Sequence, residues 1–267
     1  MDTRYTWGFR VSLAVAWTVL VFLMLPIFVT IPFSLTPHRY LSLPEGALSI
    51  RHYENLFTNE NWLSSIGQSV IIAGCSTVIA VVLGTLCAVG LWRIASRLSE
   101  TIRGFILMPI VVPPIVSGLA FYRLFVDLNL LDSYPGMVLA HMILSVPFVV
   151  ITVSTSLASF DPKLELAARN LGASMSQRLR HVIFPCIMPG VLSGAVFAFI
   201  LSWDEIVVTL FITSFRIMTL PRRMWDGIRE HADPTIAACA TVLIFLTLIT
   251  IIVYTLVGRR GKRGIGA

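Results

Sequence analysis

FDPKLELAARNLGASMSQRLRHVIFPCIMPG, Phe160 to Gly190, lies between two long apolar runs, and its pattern is that of a folded element rather than a tether. Leu164, Ala168, Leu171, Met175, Leu179 and Val182 recur at steps of three or four, which puts one apolar stripe on a helix. Lys163, Arg169, Asn170, Ser174, Gln177, Arg178 and Arg180 fall mainly away from that stripe. Asp161 followed by Pro162 predicts a helix start, a capping side chain and then a first-turn proline. Gly172 allows a bend, and Pro185 is expected to end the segment. Such a helix lies either on a lipid surface or in a groove of another protein, and periodicity alone does not choose between them.

The surrounding runs decide the setting. The chain is 56% hydrophobic and 13% charged, whereas soluble domains carry about 25% charged residues. A helix crosses the hydrocarbon core with about 20 mostly apolar residues. The windows long enough are Val11 to Phe33, Ile66 to Trp92, Gly104 to Phe125, Gly136 to Ala158, Ile187 to Ile212 and Ile236 to Val257. None shows the strict alternation of a transmembrane barrel strand, so an all-α integral membrane protein is predicted. The first run follows a short charged stretch and is too long for a signal-peptide core, so it reads as an uncleaved span.

Charge orients the spans. One set of alternate loops holds Arg4, Arg10, Arg93, Arg97, Arg103, Lys163, Arg169, Arg178, Arg180, Arg259, Arg260, Lys262 and Arg263. The other holds only Arg39, Arg51, Arg123, Arg216, Arg222, Arg223 and Arg229, so both termini are expected in the cytoplasm. The net charge of +6 is divided among short loops, which argues against a contiguous face for nucleic acid. Cys75, Cys87, Cys186 and Cys239 form no CxxC pair and read as small buried hydrophobes, with no metal site or disulfide framework.

Within the runs, polar and helix-breaking residues mark candidate working positions. Pro109, Pro113 and Pro114, with Gly118 beyond, free backbone carbonyls in the third run, which must face protein or a water-filled path, or else form a packing kink. Pro26 and Pro32 are expected to mark the exit of the first span. Asp204 and Glu205 sit in the fifth run, where an ionised carboxylate costs roughly 2.5 kcal/mol or more near the bilayer centre. With Trp203 they offer a cationic amine both charge and an aromatic face. The competing reading pairs the acids with an arginine of another subunit or places them at the outer water boundary. Tyr122 is a candidate for the lining of the same path, although aromatic residues near span ends often serve as interfacial anchors. His141 reads as a structural histidine that satisfies a carbonyl between helices rather than a proton relay.

No GxxxxGK[ST] phosphate loop is present, nor any HExxH, GxSxG or paired-carboxylate signature, so no catalytic residue is expected on this chain.

The stretch from Asp161 to Pro189 resembles the EAA loop of ABC-type importer permeases, in which two alanines precede a glycine and a hydrophobic-x-hydrophobic-Pro element follows. Here these are Ala167, Ala168 and Gly172, then Val182, Phe184 and Pro185. The likeness covers nearly the whole chain. FILSWDEIVVTLFI, with TLPRRMWDGIREHADPTIAACATVLI after it, is similar to the spermidine/putrescine branch of these permeases. The resemblance implies a type I importer permease fold, one transmembrane domain over residues 1–267 with six spans, in the bacterial inner membrane. It also implies that Glu165, Ala167, Ala168, Leu171, Gly172 and Pro185 form a coupling element that docks on a cytoplasmic ATPase. The implied partners are a second, homologous permease, two ATPase subunits that bind ATP and Mg, and a periplasmic substrate-binding protein. No cofactor is expected on this chain itself.

At one position the chain departs from that pattern. Leu166 stands at the usual glutamate position and Glu165 one residue earlier, about 100° away around a helix. From there Glu165 reaches a basic partner on the ATPase or is held by Arg169 at i+4. The implied cargo is a polyamine or related cationic amine. Alternatives are another cargo on the same machinery, an opine, amino compound, phosphonate or metal complex, or a secondary transporter that works alone.

Overall fold

A computed structural model describes residues 7–230 and 233–263, with side chains through 250 and at 252. Among the described residues every regular element is helical. In chain order they are α1 (Trp7–Ser34), α2 (Arg51–Thr58), α3 (Glu60–Ile94), α4 (Arg97–Val111), α5 (Pro114–Asp127), α6 (Tyr134–Ala158), α7 (Pro162–Asn170), α8 (Met175–Arg178), a π-helical turn at Leu179–Ile183, α9 (Phe184–Asp204), α10 (Val207–Ile212), α11 (Leu220–Glu230) and α12 (Thr235–Arg263).

Four of the expected spans are long apolar helices: α1, α3, α6, and a 30-residue helix from Met175 to Asp204. The run from Gly104 to Phe125 is not straight. It is the pair α4 and α5, bent by 104° where Val112 and Pro113 leave the helix. Pro113 and Pro114 carry no N–H, so the helix ladder cannot continue through them. The run from Ile187 to Ile212 also breaks, at Glu205 and Ile206, and resumes as the short α10. In α12 the described apolar helix covers Thr235–Thr250, and Val257 lies beyond the described side chains. Pro26 and Pro32 do not end α1, which continues to Ser34.

The residues divide into two compact units, one from Ser64 to Arg223 and one formed by the chain before and after it. In the terminal unit α12 packs on α1 and α2. Asn55 Nδ2 donates to Thr235 Oγ1 at 2.9 Å, Tyr53 shares a hydrogen bond with Ser34 at 2.6 Å, and His52 Nε2 lies 2.9 Å from the carbonyl of His38. Nearly the whole of α1 is exposed and apolar, a surface for lipid.

In the central unit α6 against α9 is the most extensive packing. Val149, Val150, Val153 and Leu157 meet Ile183, Ile187, Val191 and Ala198, and Ala80 and Ala88 of α3 close the cluster. The helices approach closely because Gly190 and Gly194 face α6. A Cβ at Gly194 would lie 2.7 Å from Thr152 Oγ1, and one at Gly190 would collide with Ser156. Small residues four apart allow this approach where no water drives helices together. Cysteine burial differs from the expectation: Cys239 is buried and Cys87 half-buried, but Cys75 and Cys186 are exposed. A membrane helix satisfies an apolar side chain by turning it to lipid as well as by packing it.

Beyond α10 the chain forms a strap held by side chains. Asp132 accepts the amides of Phe215 (3.0 Å), Arg216 (2.9 Å) and Ile217 (3.1 Å), while Gln68 and Ser69 accept those of Met218 and Leu220. Burial pushes the Asp132 carboxyl up, but the amides of Arg216, Ser214, Phe215 and Ile217 outweigh it and hold the group below its ordinary value.

Candidate functional site

Two regions carry the residues that the sequence singled out. In the loop, Asp161 caps α7 by accepting the amide of Lys163 at 2.9 Å, with Pro162 in the first turn. Gly172 ends the helix at φ +81°, a left-handed conformation that side chains disfavour, and the amides of Gly172 and Ala173 close back on Arg169 and Ala168. Ser174 then starts α8 with a capping box completed by Gln177. The apolar stripe is therefore divided by this turn and does not lie on one continuous helix. Leu164 and Met175 are exposed and Leu171 is 89% exposed, while Leu179 and Val182 pack against the core.

Pro185 does not end the segment. It sits in the first turn of α9, and the helix accommodates it by widening ahead of it into the π-helical turn, where the Phe184 amide reaches back to the carbonyl of Leu179. Proline crowds the carbonyl four residues earlier, and the wider turn relieves that crowding.

Glu165 points inward. Its Oε1 accepts from Arg93 of α3 at 2.9 Å and from Arg178 of α8 at 3.2 Å, and its side chain is 15% exposed. Arg169, one of the two alternatives for its partner, does not pair with it in the described structure, because the carboxylate lies on the face of α7 turned towards α3 and α8. Ala168 is half-buried beside it, whereas Leu166, Ala167 and Leu171 are exposed. Sequence spacing could not find Arg93, which is 72 residues away.

The second region is a cavity of about 180 Å³. Its walls include Pro109 and Ile110 of α4, Ser117 of α5, His141 and Ser145 of α6, and Ser202 and Glu205 at the end of α9. Glu205 Oε1 accepts the amide of Val208 at 2.8 Å and so caps the restart of the broken helix. Of the four path candidates only Glu205 lines this cavity. Asp204 is the exposed last residue of α9, Trp203 is half-buried and stacked on Phe199 with ring centroids 5.9 Å apart, and Tyr122 is 43% exposed on α5.

Behind the cavity lies a chain of buried polar groups. The hydroxyl of Thr209 donates to the carbonyl of Glu205 at 2.9 Å, and its oxygen lies 3.3 Å from His141 Nε2. Nδ1 of His141 lies 2.8 Å from the Ser202 hydroxyl and 3.1 Å from the Ser202 carbonyl, and the Ser202 hydroxyl accepts from Ser76 of α3 at 2.9 Å. The histidine thus links α6, α9 and α10 around the break and reaches α3 through Ser76. Ser76, Ser117, Ser202 and Thr209 were not singled out from sequence, because one hydroxyl in an apolar run is cheap and common.

Residues 80–263 match the family described as binding-protein-dependent transport system inner membrane component. The chain is 30% identical over 249 residues to the spermidine/putrescine transport system permease protein PotC of Haemophilus influenzae, covering 93% of this chain and 96% of that one. It is 31% identical over 252 residues to the putrescine transport system permease protein PotI of Escherichia coli, covering 91% and 89%. Its fold is similar to a chain in the crystal structure of a bacterial ABC transporter involved in the import of the acidic polysaccharide alginate, with a TM-score of 0.71, 16% identity, and coverage of 97% and 98%. The chain belongs to the family of binding-protein-dependent transport system inner membrane components.

Proposed function

We propose that this permease subunit forms part of the translocation path for a polyamine, spermidine or putrescine, or a related cationic amine. The observation that carries the cargo is the likeness to polyamine permeases over more than nine-tenths of the chain. A carboxylate in a cavity whose lining includes no arginine or lysine is compatible with that cargo. Trp203, Asp204 and Tyr122 belong to the same path in this reading, on the surface turned to a second permease.

Six spans follow if α12 crosses in full and each broken helix counts once: α1, α3, α4 with α5, α6, α8 through α10, and α12. Both termini are then cytoplasmic, and the whole chain is one transmembrane domain. The loop faces the cytoplasm, where Ala167, Leu171 and Gly172 present the docking surface to an ATPase subunit. Ala168, Glu165 and Pro185 hold that surface against the spans. Two ATPase subunits supply ATP and Mg, and a periplasmic receptor delivers the cargo.

Uptake in cells that express the whole importer tests the cargo. Spermidine and putrescine should compete with labelled putrescine, and opines, phosphonates and metal complexes should not. Asp204→Asn should lower uptake of the amine; intact uptake in that variant would remove Asp204 from the path.

A further inference from the structure

We infer that the cavity between α4, α5, α6 and the end of α9 is a subsite for a primary alkylammonium group. The inference rests on the reading of the cargo as a cationic amine and assigns the atoms that receive it.

A helix pairs each carbonyl with the amide four residues on. For Pro109 and Ile110 those residues are Pro113 and Pro114, neither of which has an N–H, so both carbonyls lose their helical donors. Both residues line the cavity. Ser117 lines it too and, among the described residues, makes no side-chain hydrogen bond, while the Glu205 carboxylate, able to accept about four hydrogen bonds, receives the amides of Val208 and Val207 and keeps acceptor capacity beyond them. Every free group is therefore an acceptor or a hydroxyl able to accept. Among the described residues no arginine or lysine forms an ion pair with Glu205.

A primary ammonium supplies what is missing, with three N–H donors and one positive charge. The remaining wall is apolar, with Leu144 and Phe148 suited to the methylenes behind the ammonium. A volume of about 180 Å³ corresponds to about six waters at roughly 30 Å³ each, room for an ammonium and several methylenes. An anion would meet the Glu205 carboxylate, with the Ser117 hydroxyl as the free donor among these groups.

Glu205→Gln and Ser117→Ala test the subsite. Gln keeps an oxygen for the Val208 amide, and Ala removes only the hydroxyl without adding bulk to the cavity. The complete importer in nanodiscs, without its receptor, is titrated with labelled putrescine, and uptake by the unaltered importer is measured in cells. Affinity is expected to fall at least tenfold in Glu205→Gln and about threefold in Ser117→Ala. It should be unchanged in Asp127→Asn, which removes an exposed carboxylate paired with Arg123. Putrescine uptake by the unaltered importer with affinity unchanged in both cavity variants would overturn the subsite and leave the cargo standing. Failure of the unaltered importer to take up any polyamine would overturn the cargo and the subsite together.

Discussion

Removing the carboxylate of Glu165 should loosen α7 from α3 and α8. Glu165 Oε1 is 2.9 Å from Arg93 and 3.2 Å from Arg178, with the three side chains 15%, 24% and 18% exposed. Exposed ion pairs contribute about 0–1 kcal/mol, and truncating one partner of a fully buried pair costs about 3–5 kcal/mol. A site this sheltered but still in touch with solvent falls between, at about 2 kcal/mol for Glu165→Ala, because two guanidinium groups are left facing each other without an anion. Glu165→Gln, which keeps an acceptor, should cost about half as much. At 1.4 kcal/mol per factor of ten, 2 kcal/mol lowers the ratio of packed to unpacked α7 about thirtyfold. The assay is the ratio of cargo transported to ATP hydrolysed by the complete importer in proteoliposomes with loaded receptor. That ratio should fall in Glu165→Ala and recover partly in Glu165→Gln. Since both arginines use one oxygen, Arg93→Met and Arg178→Met should be non-additive when combined. An unchanged ratio and an unchanged melting temperature in Glu165→Ala would refute the account.

Gly172→Ala should cost about 1–2 kcal/mol at φ +81°, and Gly172→Pro, with its φ locked near −65°, should abolish uptake; full uptake in the proline variant would remove the turn from coupling. His141→Ala leaves Ser202 and Thr209 without a bridging ring, and each unsatisfied buried group costs about 1–3 kcal/mol, so the melting temperature of the complex should fall by several degrees. Asp132→Ala should free the strap, read as faster trypsin cleavage after Arg216. Because the Asp132 carboxyl is held below its ordinary value, its stabilisation is fully present above that value and is lost as pH falls through the lower, folded one. Trypsin is inactive there, so amide exchange at residues 215–217 in acid is the measurement.

Much of the loop was legible because its signals are local. Asp161 and Pro162 start α7, Gly172 turns it, and each acts within one turn of helix. The prolines of the third run announced a break but not its angle, since proline removes a donor without saying where the freed chain goes. Pro185 misled for a related reason: a helix that gains a residue per turn absorbs proline instead of stopping. The partners of Glu165 and of His141 were not legible. Both depend on helices far apart in sequence, and an apolar run looks the same whichever face it turns to protein.

Composition and run length alone determined that this chain is a helical membrane protein, because a bilayer demands long apolar segments and internal backbone bonding whatever the packing. The spacing around Gly172 added the likeness to importer permeases. Tertiary structure decided which polar groups come together: Glu165 as an inward strut, and Glu205 rather than Asp204 in the cavity, with Ser117, Pro109 and Ile110 on its walls. Hydrogen bonds and ion pairs need partners within about 3 Å, and only folding brings residues from different helices that close.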